Sequence, residues 1–296
     1  MVAALLVMVA YPARADFTSP QLSQALEAQR CRLRLASPNT GTLSAGVRLD
    51  VVLTTSAQPQ SSVAVIALQG RFLPKHRITS AALAKWVFDR GSVAPSVTYF
   101  VQVDGSVSVR WRGPIQSEDS VNTVARLVAA EMTEIAAFAK DFDVQPVPRS
   151  RQVSDKDIDY HRTMDAPDRL DVQILTEVWG WRYKKGWAGS GPDWVWNWPA
   201  TVDAVDVWMQ SGVPSGPNWI LKLTSKLPCT PKDPDSWVKA QNALLRFGSV
   251  RHWSDQGTLE LSADVDYRSG VTPSKLKDTL ELFAQEAKHL AQAGAR

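Results

Sequence analysis

The chain is expected to fold as an α+β protein built from two tandem modules, each an antiparallel sheet with helices packed on it. Three observations predict this. Short alternating segments rich in valine, leucine and tryptophan are interleaved with amphipathic stretches of helical period. Both halves close on the same order of elements, helix, hairpin, capped amphipathic helix. The chain has 296 residues, 44% of them apolar and 21% charged, enough for about two ordinary domains with real cores.

The first 15 residues are read as a signal rather than as fold. An apolar run, Ala3 to Val9, is followed by Ala13-Arg14-Ala15, a small-x-small pattern that places the mature start at Asp16. The run is too short to span a bilayer. The expectation is therefore an exported protein, periplasmic or secreted, and not an integral membrane protein. The two cysteines, Cys31 and Cys229, fall in different modules, and in an oxidising compartment they are candidates for a disulfide. The competing reading is two small buried thiols.

The first module is assigned to residues 16–142. Pro20 suits the first turn of a helix running to Gln29, with Leu22 and Leu26 on one face. Arg30 to Leu35 alternates as a half-buried strand, and Pro38-Asn39-Thr40-Gly41 reads as a turn. Val47–Leu53 and Val63–Leu68 are further strands, joined by a polar segment holding Pro59. Thr79 to Arg90 is helical. Val97–Val103 and Val107–Trp111 form a hairpin across Asp104-Gly105, where glycine supplies the turn. Ser117 is a cap for the last helix, whose stripe is Val121, Val124, Val128, Met132, Ile135 and Phe138.

Residues 143–168 are polar, hold three prolines, and read as a linker. Asp155, Asp157 and Asp159 within it resemble the start of a calcium loop. Tyr160 and Ala166 stand where such a loop needs Gly and Glu, so the segment is read as solvated acid.

The second module, 169–296, takes Val172–Tyr183, Trp194–Trp198, Val202–Met209 and Trp219–Thr224 as strands. Asp235–Phe247 reads as a helix carrying Trp237 and Leu244. A hairpin, Ser249–Trp253 and Thr258–Tyr267, turns at Gly257. Thr272 caps the final helix, with Pro273 in its first turn and a stripe of Leu276, Leu280, Phe283, Ala287 and Leu290.

Twelve tryptophans are an unusual number. Trp179, Trp181 and Tyr183 alternate, as do Trp194, Trp196 and Trp198, and period two puts each set on one strand face. A hairpin through 186–193 would set the two ladders side by side. Such a ladder is either sheet packing, worth about 0.2–1 kcal/mol per cross-strand pair, or an exposed platform for glycan, lipid or peptide. Lys184 and Lys185 at its end suit an anionic partner or a solvated turn.

The chemistry-bearing motifs are missing from the sequence. There is no P-loop, G-x-G-x-x-G, G-x-S-x-G or H-E-x-x-H, and no cysteine pair has zinc spacing. The four histidines are scattered. No catalytic, cofactor-binding or metal-binding residue is assigned. Net charge is +3 and no long basic run occurs, which argues against a nucleic-acid partner, since that requires a clustered basic face.

Leu244-Leu-Arg-Phe247-Gly248, the hairpin ending in Leu259-Glu-Leu-Ser-Ala-Asp-Val265, and Gly270-Val271-Thr272 opening a helix with Leu282-Phe283 together resemble the YbjN-like domain. The resemblance covers about residues 235–294. It implies the type III secretion chaperone-like fold and a non-enzymatic role in protein binding, regulation or chaperoning. The first module resembles that family only in element order. The expected function is thus an exported protein-binding module pair. The alternatives are an envelope glycan- or lipid-binding protein using the tryptophans, and an enzyme without a short motif.

Overall fold

The computed structural model describes residues 20–37, 40–55, 64–90, 97–115, 121–148, 151–164, 169–183, 196–211, 220–254 and 256–295. These residues hold six α-helices and two antiparallel sheets, so the α+β architecture is observed. The chain divides into two compact units, residues 1–151 and 152–296.

The first unit runs α1 (Pro20–Ala28), β1 (Arg32–Ser37), β2 (Thr40–Ala45), β3 (Val47–Thr55), β4 (Ala64–Pro74), α2 (Ser80–Asp89), β5 (Val97–Val101), β6 (Val107–Ile115), α3 (Val121–Asp141) and β7 (Val144–Pro146). Its sheet has the order β1-β2-β3-β4-β6-β5, and β7 pairs with the far end of β4. The second unit runs α4 (Arg169–Val178), β8 (Arg182–Tyr183), β9 (Trp196–Val202), β10 (Val205–Ser211), β11 (Ile220–Leu227), α5 (Pro234–Asn242), β12 (Ser249–Trp253), β13 (Thr258–Asp266) and α6 (Pro273–Gly294). Its sheet has the order β8-β9-β10-β11-β13-β12. Apart from β7, the two units share one element order and one strand order.

Local chemistry repeats as well. Both α1 and α4 end by the same device, a left-handed residue that turns the chain back onto the last helical carbonyls. After α1 it is Arg30 at φ 61°, with Cys31 N donating to Leu26 O at 2.9 Å. After α4 it is Gly180 at φ 71°, with Trp181 N donating to Thr176 O at 2.9 Å. Threonine caps open two helices: Thr79 Oγ1 accepts from Ala82 N and Thr272 Oγ1 from Lys275 N. The α3 stripe is buried from Val124 to Phe138, with Val121 partly buried at its start, and the α6 stripe is buried from Leu276 to Leu290. In the first unit α3 lies over Leu43, Leu49, Leu68, Phe72, Val107 and Val109, which form one core with it.

Several expectations are corrected. Residues 172–178 form helix α4, not a strand: Val172, Leu175 and Ile174 are buried, with Thr176, at helical spacing. Thr40 and Gly41, expected in a turn, open strand β2, which runs to Ala45. The strand expected over 202–209 is broken by Asp203 and Ala204, both at positive φ, which join β9 to β10 as a tight hairpin. Helix α5 stops at Asn242, so Leu244 lies beyond it. The described parts of 143–168 are not a free linker. Val144–Pro146 pairs with β4, Val147 N donates to Arg71 O at 2.8 Å, and Met164 bridges Val271 in the second unit. The expected signal segment and the cap at Ser117 lie outside the described residues.

Candidate binding surface

A groove lies between the end of α5 and the outer side of α6 in the second unit. It has a volume of about 340 Å³ and is lined by Leu244, Leu245, Leu282 and Leu290, with Gln241, Arg246, Gln285, Glu286 and His289 around them. Leu244 is 75% exposed and Leu282 is 44% exposed. Full burial of a leucine is worth about 1.5–3 kcal/mol, so two held in water are a standing cost unless something covers them.

The chain holds Leu244 outward by tying down both sides of it. The side chain of Asn242 brackets Val250, accepting from its N at 2.7 Å and donating to its O at 2.9 Å. Leu244 N and Leu245 N both reach back to Gln241 O. Phe247 packs edge-on against Phe283 at 6.3 Å between centroids. Gly248 has φ 87°, and a Cβ there would meet Ser262 O at 2.6 Å. Only glycine fits that position. The loop from 243 to 248 is therefore pinned at Asn242, Phe247 and Gly248, with Leu244 facing outward.

Of the residues singled out by the tryptophan pattern, the described side chains of Trp179 and Trp198 do not share one strand face. Trp198 is 4% exposed, and its Nε1 donates to Thr176 Oγ1 at 3.0 Å, fastening β9 to α4. Trp179 follows α4 in a turn rather than on a strand. Its Nε1 donates to Tyr160 Oη at 3.0 Å, and its ring meets Trp181 edge-on at 4.7 Å. Trp179 and Trp181 are half-buried. Tyr183 lies on β8, paired with Ala200 of β9. Trp196 begins β9 opposite Ser211. The side chains of Tyr183 and Trp196, and all of Trp194, Lys184 and Lys185, lie outside the described residues. The helical turn at 169–178 is what separates Trp179 from the strand register that alternation assumed.

Cys31 and Cys229 are both free thiols. Cys31 is sealed in the first core at 1% exposure, and burial raises its pKa. Cys229 packs against Gly294, where an added Cβ would lie 2.6 Å from its sulfur.

The acidic residues of 155–159 turn onto their own segment. Asp157 accepts from Ser154 N and Oγ, both at 2.8 Å; Asp155 accepts from Tyr160 Oη at 2.6 Å; Asp159 accepts from His161 N at 3.2 Å. Burial, together with the bond to Asp155, raises the Tyr160 pKa. Among the described residues no cluster of three or more His, Cys, Asp or Glu is placed to hold a metal ion. No described helix is long and apolar enough to cross a membrane.

No family model, curated protein or solved structure matches the chain. The surface must therefore be read from its own residues.

One buried charged cluster escaped the sequence reading. The Asp104 carboxylate is fully enclosed at the β5–β6 turn. It accepts from Arg71 Nη2 at 2.6 Å, Ser106 Oγ at 2.6 Å and Ser106 N at 3.1 Å, and Arg151 Nη1 lies 3.1 Å away. Arg71 Nε also donates to Ser106 Oγ at 2.8 Å. The cluster ties the hairpin to β4 and to the segment after β7. A charged residue in a hairpin turn was the available signal, but its partners lie 33 and 47 positions away along the chain.

Proposed function

We propose that this chain is a non-enzymatic, exported binding protein that holds an apolar segment of another protein in the α5–α6 groove. The observation that carries this reading is the outward, pinned Leu244 beside the exposed Leu282. Interfaces of this kind place a desolvated apolar centre inside a polar rim, and Arg246, Glu286 and His289 supply such a rim here. The resemblance of residues 235–294 to the YbjN-like domain supports the same class of role. The glycan or lipid alternative loses one of its six residues at Trp198, which is buried by packing.

The test is suppression of aggregation. Reduced, unfolding α-lactalbumin serves as the client, with light scattering as the readout. The intact chain suppresses scattering, and Leu244→Asp with Leu282→Asp weakens that effect by about tenfold for each substitution, from the lost apolar burial. Equal suppression by the double variant, at unchanged thermal stability, contradicts the reading.

A further inference from the structure

The helix-free face of the first sheet collects arginine. Strand alternation settles which side chains point there. Leu33, Leu43, Leu49, Leu68, Tyr99, Val109 and Trp111 belong to the core under the helices. Their neighbours in sequence therefore project to the opposite side: Arg32 and Arg34 on β1, Arg48 on β3, Arg110 and Arg112 on β6. The register lines them up. Arg34, Thr42, Asp50, Gln69, Arg110 and Thr98 follow one another across six strands. Arg32, Ser44 and Arg48 form the next row. Arg32, Arg34, Arg48 and Arg112 are exposed, and Arg110 is half-buried, its guanidinium 5.4 Å above the Phe100 ring. Asp50 is the single acid among the described strand residues of this face.

The corresponding face of the second sheet is mixed in sign. Lys226 stands opposite Glu260, which also pairs with Arg251, and Lys222 stands opposite Asp264. The same architecture thus carries a cationic face in one copy and a balanced one in the other. Residues 1–151 hold 16 Lys and Arg against 11 Asp and Glu, whereas residues 152–296 hold 17 against 19. The absence of a basic run, which argued against a nucleic-acid partner, does not describe the folded surface. Alternation hides five arginines on three widely spaced segments of sequence.

We propose that this arginine face docks the first unit onto an anionic lipid bilayer. The array spans four strand spacings, about 19 Å, with its charges spread over an open sheet rather than focused in a pocket. A planar field of phosphates is the partner that matches such a spread. Arginine suits it because its planar fork binds phosphate through two parallel bonds. Duplex nucleic acid is held by elements that enter a groove, and no described helix or ribbon projects from this face. Single strands are held by stacking on several aromatics, and among the described residues this face offers Phe100 alone, with Arg110 over its ring. This inference is independent of the α5–α6 groove.

The experiment is co-sedimentation of the intact chain with vesicles, at low salt and at 1 M salt. The vesicles are phosphatidylcholine alone or phosphatidylcholine with 30% phosphatidylglycerol, and a 20-nucleotide single strand and its duplex serve as competitors. Binding is expected only to the anionic vesicles and is lost at 1 M salt, where screening acts within about 3 Å. Each arginine near such a surface contributes about fivefold. Arg32→Gln with Arg34→Gln, and separately Arg110→Gln with Arg112→Gln, should each weaken binding about 25-fold. The first pair lies on an edge strand, so it keeps the test interpretable if the second perturbs the sheet. Lys222→Gln with Lys226→Gln should leave binding unchanged. Failure to bind anionic vesicles overturns the proposal. So does equal loss in the lysine control, or tighter binding to either oligonucleotide than to the vesicles.

Discussion

Replacing Asp104 by alanine tests the buried cluster of the first unit. The substitution removes the acceptor for Arg71 Nη2, Ser106 N and Ser106 Oγ, and the ion-pair partner of Arg151. Breaking a buried ion pair from one side costs about 3–5 kcal/mol, because the remaining charge is left uncompensated. Here the two arginine side chains keep 25% and 17% of their surface in water, which moves the expectation to the low end. Arg71 also retains its bond to Ser106. The net loss should be about 3 kcal/mol, or a fall of roughly 6–12 °C in the melting of a unit of this size. Asp104→Asn keeps the shape and part of the hydrogen bonding and should lose about half as much. Urea unfolding followed by hydrogen exchange at the β6 amides separates the first unit from the second. A loss below 1 kcal/mol for Asp104→Ala, or a loss shared equally by β13 amides, would refute the reasoning.

The other predictions concern the second unit. Trp198→Ala should cost about 3–5 kcal/mol through the cavity it leaves. Trp198→Phe should cost much less, because Thr176 Oγ1 keeps its bond to Val172 O; denaturant midpoints distinguish the two. Gly180→Ala places a side chain at positive φ in open space and should cost about 1 kcal/mol. Gly248→Ala adds a clash with Ser262 O at 2.6 Å and should cost clearly more in the same measurement. Tyr267 is 2% exposed and its hydroxyl has no hydrogen-bond partner among the described residues; burial raises its pKa well above the ordinary tyrosine value. The folded state therefore keeps this proton while the unfolded chain loses it above about pH 10, so stability is retained below that pH and falls as pH rises. The slope is about 1.4 kcal/mol per pH unit. Tyr267→Phe should remove that slope in alkaline melting curves and cost little at pH 7, since no hydrogen bond is lost.

The sequence revealed long-period features well and register poorly. The stripes of α3 and α6 are spaced three and four apart over 18 and 15 residues, a pattern no strand produces, and both helices stand where expected. Glycine and aspartate turn chemistry marked both hairpins for the same reason. Helix α4 was hidden because Val172, Ile174, Val178, Trp179 and Trp181 are β-branched or aromatic, so composition spoke for strand while spacing spoke for helix. Strand β2 was hidden by Gly41, Thr42 and Ser44, which are small or polar although Leu43 is buried. The Asp203-Ala204 turn lacks glycine, and Leu244 reads as a helix-face residue until Asn242 is seen to bracket Val250. The arginine face was illegible because its members meet only through strand register, a long-range property that no local window contains.

That one sheet-and-helix unit occurs twice, each copy with its own core, is tested most directly by producing residues 152–296 alone and following their urea unfolding by circular dichroism and by the protection of the Trp198 indole N–H. A single cooperative transition with a slow-exchanging indole is the predicted result. A non-cooperative, ANS-binding polypeptide with an unprotected indole would contradict it.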